Sequence, residues 1–343
     1  LITPKKNKKD AATIRAKTSI NAMKKLTIPF LFILALASCK QKSEEEKAVE
    51  EIAVEVKFTR FDKLFFETKP QDLGKLKSEY PYLFPAGNAD TVWTNKMQNP
   101  MWRELYGEVQ KKYNNISKLE PQFANLFKHI KYYYPTAKIP KVFTVIADMD
   151  YNNKAIYADS LVLIPLELYL GKDHKYYKGE FPDYIKQNFE ENQIFPDLVS
   201  SFATRKIPLP SDKSLISLMV FAGKELYLKD KLLPETPDEV KIGYTKPQMD
   251  WCLANESYIW SYFIEQKMLY KNDSKLAGRF ILPAPFSKFY LEIDSESPGR
   301  VGAWVGWQIV KSYMENNKIS LTDMLKTDEK TIFENSKYKP KKQ

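Results

Sequence analysis

Two histidines, His129 and His174, are the whole imidazole supply of this 343-residue chain, and 45 residues separate them. A zinc protease needs His-Glu-x-x-His on one helix, so that two imidazoles hold one metal and the glutamate activates water. Neither histidine has such a neighbour. His129 sits between Lys128 and Lys131, and His174 follows Gly171-Lys172-Asp173; both read as surface or helix-side residues. Cys252 lies in the apolar stretch Met249-Asp250-Trp251-Cys252-Leu253. With no histidine to activate it, it reads as a buried, inert thiol rather than a nucleophile. Asp148-Met149-Asp150-Tyr151-Asn152-Asn153 suggests a calcium loop, but the ordered ligands and closing glutamate of an EF-hand are missing. No Gly-x-Ser-x-Gly elbow, phosphate loop or dinucleotide fingerprint is present. Paired carboxylates for sugar hydrolysis need no local spacing and stay open. No cofactor is expected.

The other cysteine is Cys39. Met23-Lys24-Lys25 makes a basic start, and Leu26 to Ala37 a twelve-residue, largely apolar core. Such a core suits a secretory signal and is too short to span a bilayer. It ends in Leu36-Ala37-Ser38-Cys39, which resembles the bacterial lipoprotein box. In that class the cysteine sulfur receives diacylglycerol, and cleavage frees an amine that is commonly acylated. Each buried CH₂ then adds about 0.8 kcal/mol of membrane affinity. The expectation is an exported protein, lipid-anchored to the cell membrane or outer membrane and facing the periplasm. Residues 1–22, basic and poor in apolar groups, read as an upstream extension absent from the mature protein.

The formal charge of +10 is mostly a property of that leader. Beyond Cys39 the chain holds 45 basic and 42 acidic residues, an ordinary surface that gives no case for nucleic acid. With Cys39 acylated, Cys252 has no disulfide partner. The 305 residues from Cys39 on can bury a large core.

The elements follow from period and punctuation. Residues 23–38 are the signal segment, 39–52 the lipidated cysteine and a flexible charged tether, 53–336 one large domain, and 337–343 a disordered basic tail. Val54–Phe58 alternates as a strand, Phe61–Phe66 reads as a turn or short helix, and Tyr80–Asn95 as loop. Ser117-Lys118-Leu119-Glu120 has the form of a capping box. Lys141–Ala147 reads as the best strand, paired with Lys154–Ala158 across a polar turn. From Phe181 helices dominate, among them Leu215–Leu228 and Lys246–Tyr270. Ser297 and Pro298 read as the cap and first position of another helix, and Ser320 as the cap of a further one. The fold class is α+β, predominantly helical, with a small mixed or antiparallel sheet. In Arg300-Val301-Gly302-Ala303-Trp304-Val305-Gly306-Trp307 the glycines share a helix face. The motif reads as close core packing, with an aromatic partner-binding surface as the rival.

Four blocks carry a resemblance that covers nearly the whole mature chain. They are Phe58-Thr59-Arg60-Phe61-Asp62, Gly223-Lys224-Glu225-Leu226-Tyr227, Asn255-Glu256-Ser257-Tyr258-Ile259-Trp260 and the run Ser297 to Met314. With the lipoprotein box, they resemble the GldB lipoproteins of gliding Bacteroidetes. The resemblance implies a membrane-anchored, non-catalytic component or assembly factor of the gliding machinery, linked to type IX secretion. Its implied partners are the bilayer, through acylated Cys39, and other envelope proteins of that machinery. The family is also distantly similar to gluzincin-type predicted zinc peptidases. That likeness implies a degenerate peptidase-like scaffold without its metal histidines, with Glu225 and Glu256 as remnants of its carboxylates. The alternatives are an envelope hydrolase using Glu225 and Glu256, or a periplasmic binding module, which would need a closed apolar cavity.

Overall fold

The computed structural model describes residues 43–341, and its first element stands where the sequence predicts a tether. Ser43 and Glu46 form a reciprocal capping box that opens α1 (Glu44–Glu50). Three glutamates in its first turn suit the positive end of the helix dipole. Val49 is buried, the Tyr133 hydroxyl donates to Glu45, and Lys231 Nζ reaches Glu45 Oε2 at 3.2 Å. The expected tether is therefore corrected from Ser43 onward: a cap, one apolar anchor and two polar contacts dock a charged helix. The upstream extension, the signal segment and Cys39 lie outside the described residues.

The N-terminal half surrounds a small sheet. In chain order it holds β1 (Phe58–Thr59), α2 (Phe61–Glu67), α3 (Leu73–Glu79), α4 (Asp90–Gln98), α5 (Pro100–Tyr113), α6 (Leu119–Tyr133), β2 (Lys141–Val145), β3 (Ile156–Tyr157) and β4 (Leu161–Pro165). The sheet is mixed, in the order β1-β2-β4-β3. The expected β2–β3 pairing is not made. β2 runs parallel to β4, with Val142 opposite Val162, and the hairpin joins β3 to β4. Val142, Phe143 and Thr144 are all buried, so β2 is covered on both faces, as a central parallel strand requires. The expected strand at Val54–Phe58 contracts to β1, and α4 occupies part of the expected Tyr80–Asn95 loop. Ser117 does not cap α6, whose boundary residue is Lys118 with no side-chain cap.

The C-terminal half is helical: α7 (Asp183–Lys186), α8 (Ile194–Ala203), α9 (Leu215–Leu232), α10 (Asp238–Ile242), α11 (Lys246–Glu265), α12 (Ser274–Phe280), α13 (Val301–Asn316), α14 (Leu321–Lys326) and α15 (Glu329–Asn335). Buried residues occur around the whole circumference of α9, the mark of a central helix. It packs on α13 backbone to backbone. A Cβ on Gly306 would overlap the Met219 carbonyl, and one on Gly223 the backbone of Gly306. Gly302 meets a different neighbour, the Phe280–Ile281 end of α12, so the two glycines admit two elements rather than one. Trp304 and Trp307 are fully buried.

The last residues are pinned rather than frayed as far as Tyr338. Its ring lies 5.2 Å from that of Trp260, and its hydroxyl donates to Glu256 Oε1 at 2.8 Å. No helix among the described residues is long and apolar enough to cross a membrane.

Candidate functional site

A cavity of about 300 Å³ opens where α8, α9 and α10 meet the segment that enters α13. The charged groups arrive from five separate stretches of chain. Lys154 follows the turn Tyr151–Asn153, Asp197 and Ser200 come from α8, and Glu225 and Lys229 lie four apart on α9. Lys241 comes from α10, which ends at Gly243 with φ 78°. At that left-handed φ glycine avoids a Cβ penalty, and a Cβ would also collide with Asn188. Arg300 is the boundary residue of α13 and holds φ 65°. Ser297, the expected cap, is committed elsewhere: its hydroxyl donates to Asp294 O at 2.8 Å and accepts from the Ser287 N–H at 3.2 Å.

The lining carries four cations, Lys154, Lys229, Lys241 and Arg300, against two carboxylates, Asp197 and Glu225. Most are already satisfied. Lys154 Nζ is 2.8 Å from Asp197, whose other oxygen accepts from the Tyr169 hydroxyl at 3.1 Å. Glu225 Oε1 accepts from Ser200 Oγ at 2.7 Å and lies 3.0 Å from Lys229 Nζ. Lys241 pairs with Asp230 and Asp238. Burial pushes the Glu225 carboxyl up, but Lys229, the Ser200 hydroxyl and Arg300 together hold it below the usual value. That opposes the raised pKa a general acid needs. Glu225 lines the cavity and keeps 32 % of its side-chain surface accessible. Among the described residues, Arg300 has no carboxylate within ion-pair distance. Its Nη1 donates to Ile242 O at 2.7 Å, and its buried Nε has no partner.

The family described as "Gliding motility protein GldB" matches residues 42–340. The chain belongs to the GldB family. No curated protein and no solved structure matches it. The lipoprotein character of the GldB family accords with lipid anchoring and export. Among the described residues, no three His, Cys, Asp or Glu side chains converge to hold a metal ion. The GldB fold here is helical with a small mixed sheet, and a peptidase-like degeneracy gains no support from a metal cluster.

The sequence blocks of this GldB chain fall into distinct physical tasks. Asp62, 1 % exposed, accepts from Arg60 Nη2 at 2.7 Å, Gln110 at 2.8 Å and Thr144, joining α2, α5 and β2. Lys224 is buried against Glu329 and Thr327 O, both at 2.6 Å. Glu225 lines the cavity, whereas Glu256 does not and is taken by Tyr338. Of the Arg300–Trp307 motif, Arg300 reaches the cavity and the glycines and tryptophans are packed inside. Cys252 is free and buried, and burial pushes its thiol up despite the hydrogen bond with Tyr244. His129 Nδ1 meets Asn125 O at 2.9 Å within its own helix. His174 Nε2 lies 3.4 Å from Glu108.

A second cavity, about 280 Å³, is apolar. Phe61, Phe65, Phe84, Trp93 and Ile146 line it, with Lys96 and Asp148 among its polar groups. Lys96 Nζ lies 3.4 Å from Asp148 and 3.7 Å from the centre of the Trp102 ring. Behind the Ile146–Asp148 wall, Glu167 is fully buried. One oxygen accepts from the Ala147 N–H at 3.0 Å and the other has no partner. Burial raises this carboxyl to about 7, against the backbone donors and Lys96. Sequence reasoning missed Glu167, Asp197 and Lys154; of the cavity groups, only the Glu225–Lys229 spacing of four was a local signal.

Proposed function

We propose that this chain is a lipid-anchored, non-catalytic component or assembly factor of the bacterial gliding machinery, linked to type IX secretion. Its domain faces the periplasm, held near the bilayer by acylated Cys39. The observation that carries the reading is the GldB family match across residues 42–340. The cavity supports binding rather than turnover. Asp197 is paired with Lys154, and Lys229 beside Glu225 helps hold that carboxyl below its usual value, which does not suit a general acid. Kinship to gluzincin-type peptidases enters only as an origin for the scaffold, with Glu225 serving as a binding carboxylate.

The test is complementation of a chromosomal deletion, scored as spreading on soft agar and single-cell gliding. The wild-type chain restores both. Cys39→Ala accumulates but fails to restore movement, because the domain is no longer held at the membrane. Asp197→Asn with Glu225→Gln lowers movement only as far as ligand binding falls. A deletion strain that still glides sinks the gliding role. A purified wild-type chain that turns over an envelope peptide or glycan, with the double variant inactive, moves the envelope enzyme to first place.

A further inference from the structure

Two groups in the polar cavity retain unused bonding capacity of opposite sign. Glu225 Oε1 is taken by Ser200 and Lys229, whereas no hydrogen bond among the described residues engages Oε2 and the side chain keeps 32 % of its surface accessible in the cavity lining. Arg300 spends one nitrogen on Ile242 O and, among the described residues, has no carboxylate within ion-pair distance, although its charge acts on Glu225. Asp197, Lys154, Lys229 and Lys241 are satisfied by one another or by neighbours outside the lining. A ligand therefore meets one free acceptor and one free cation, bordered by the neutral donors and rings of Tyr151, Tyr184, Asn188 and Gln248.

The backbone constrains which residues can replace Arg300. Arg300 holds φ 65°, a region that disfavours residues with a Cβ and that glycine adopts freely. Met149, Lys267, Tyr290 and Lys337 hold the same region, so the conformation by itself does not mark a site; it fixes where the Arg300 side chain leaves the backbone. The boundary of α13 could be turned by glycine, yet the position carries a guanidinium that reaches a cavity. The positive end of a sixteen-residue helix lies beside it.

We propose that this cavity binds a small ligand bearing a carboxylate next to an N–H or ammonium group, the chemistry of an amino acid or a free peptide carboxyl end. The carboxylate sits on Arg300 and the nitrogen donates to Glu225 Oε2. A fork of guanidinium donors matches a carboxylate, and a size of about 300 Å³ suits one or two residues of such a ligand. The proposal rests on reading the cavity as a binding site rather than a catalytic one.

The test is isothermal titration of the full-length chain in detergent with alanine, tri-alanine, tri-alanine amide, propionate and glucuronate. Alanine or tri-alanine binds saturably. Removing the carboxylate as the amide, or the nitrogen as propionate, weakens binding about tenfold or more, the size of one charge-assisted hydrogen bond. Alanine binding tighter than tri-alanine identifies a free amino acid as the source, and the reverse a peptide end. Arg300→Gly relieves the backbone and keeps the melting temperature near wild type, yet loses binding; Arg300→Lys restores part of it. Glu225→Gln brings alanine down toward propionate. Equal binding of the acid and the amide, saturation by propionate as tight as by alanine, binding of glucuronate alone, or no saturation by any probe overturns the proposal. A deletion strain that still glides would overturn the family role and leave this result standing.

Discussion

Glu329→Gln removes the carboxylate from Lys224 while keeping the shape of the side chain. The Lys224 side chain is 2 % exposed and that of Glu329 4 %. The Lys224 ammonium has two acceptors, Glu329 Oε1 and Thr327 O, both at 2.6 Å. The substitution leaves that charge in the contact between α9 and α15 with one neutral backbone acceptor. Breaking a buried pair from one side costs about 3–5 kcal/mol, because the remaining charge is unpaired and desolvated. A folded unit of this size should lose roughly 5–8 °C in Tm. Replacing both partners, as Lys224→Met with Glu329→Met, removes the desolvation penalty together with the attraction and should return stability to within about 1 kcal/mol of wild type. Urea unfolding followed by circular dichroism reads both, as a shift in midpoint at unchanged slope. A loss below about 1 kcal/mol for Glu329→Gln, or a double variant no more stable than the single one, would falsify this reasoning.

Three further outcomes follow from the same geometry. Gly306→Ala drives a methyl into the Met219 carbonyl and should cost about 3 kcal/mol or more, since neither backbone can retreat alone; a loss under about 1 kcal/mol in the same unfolding assay would show that α9 and α13 can separate. The Glu167 carboxyl titrates at about 7 when folded against an ordinary 4.5. Between those values only the unfolded chain loses the proton, so stability falls as pH rises through that window, by about 3 kcal/mol. Glu167→Gln should flatten that part of the stability–pH curve, and an unchanged slope counts against a buried neutral acid. Cys252 should resist a thiol-reactive disulfide reagent in the native lipidated chain and react at the rate of unfolding. Rapid labelling of one thiol under native conditions would point to Cys39 left free of lipid.

The helices that carry the site were legible because their signals are local. Leu215–Leu228 was legible as a helix apolar on one side, but α9 is buried all round, because its polar Ser217, Lys224 and Lys229 find partners inside. The run Lys246–Tyr270 became α11, and Ser320 caps α14 as its spacing implies. Signals of equal form failed where a side chain had a better use. Ser297 would suit a helix cap, but Ser287 and Asp294 hold its hydroxyl, so the helix starts three residues beyond Pro298. The Ser43–Glu46 capping box was present in the sequence, but the charge around it read as a tether. Strand pairing was not legible, because the β2–β4 contact skips β3 and depends on burial of β2 from both sides. The cavity was the least legible part. Its charges come from five separated stretches, and only Glu225 and Lys229 share a helix face at readable spacing.

That distribution bears on what the family blocks are for. Within them, Asp62, Lys224 and Glu256 are polar groups whose partners lie on other elements; Gly223 and Gly306 permit a backbone contact. All five are explained by holding the fold together. Glu225 and Arg300 come from two different blocks, contact the same cavity and hold capacity that no neighbour uses. An arginine at position 300 costs about 1–2 kcal/mol of left-handed backbone strain, a strain that Met149, Lys267, Tyr290 and Lys337 also carry; its bond to Ile242 O returns about 1 kcal/mol, and its charge also favours the ionised form of Glu225. The fold alone thus gains little from the guanidinium. The proposed ligand would give the guanidinium a further partner, and Arg300→Gly separates the two accounts because glycine preserves the backbone while removing the charge.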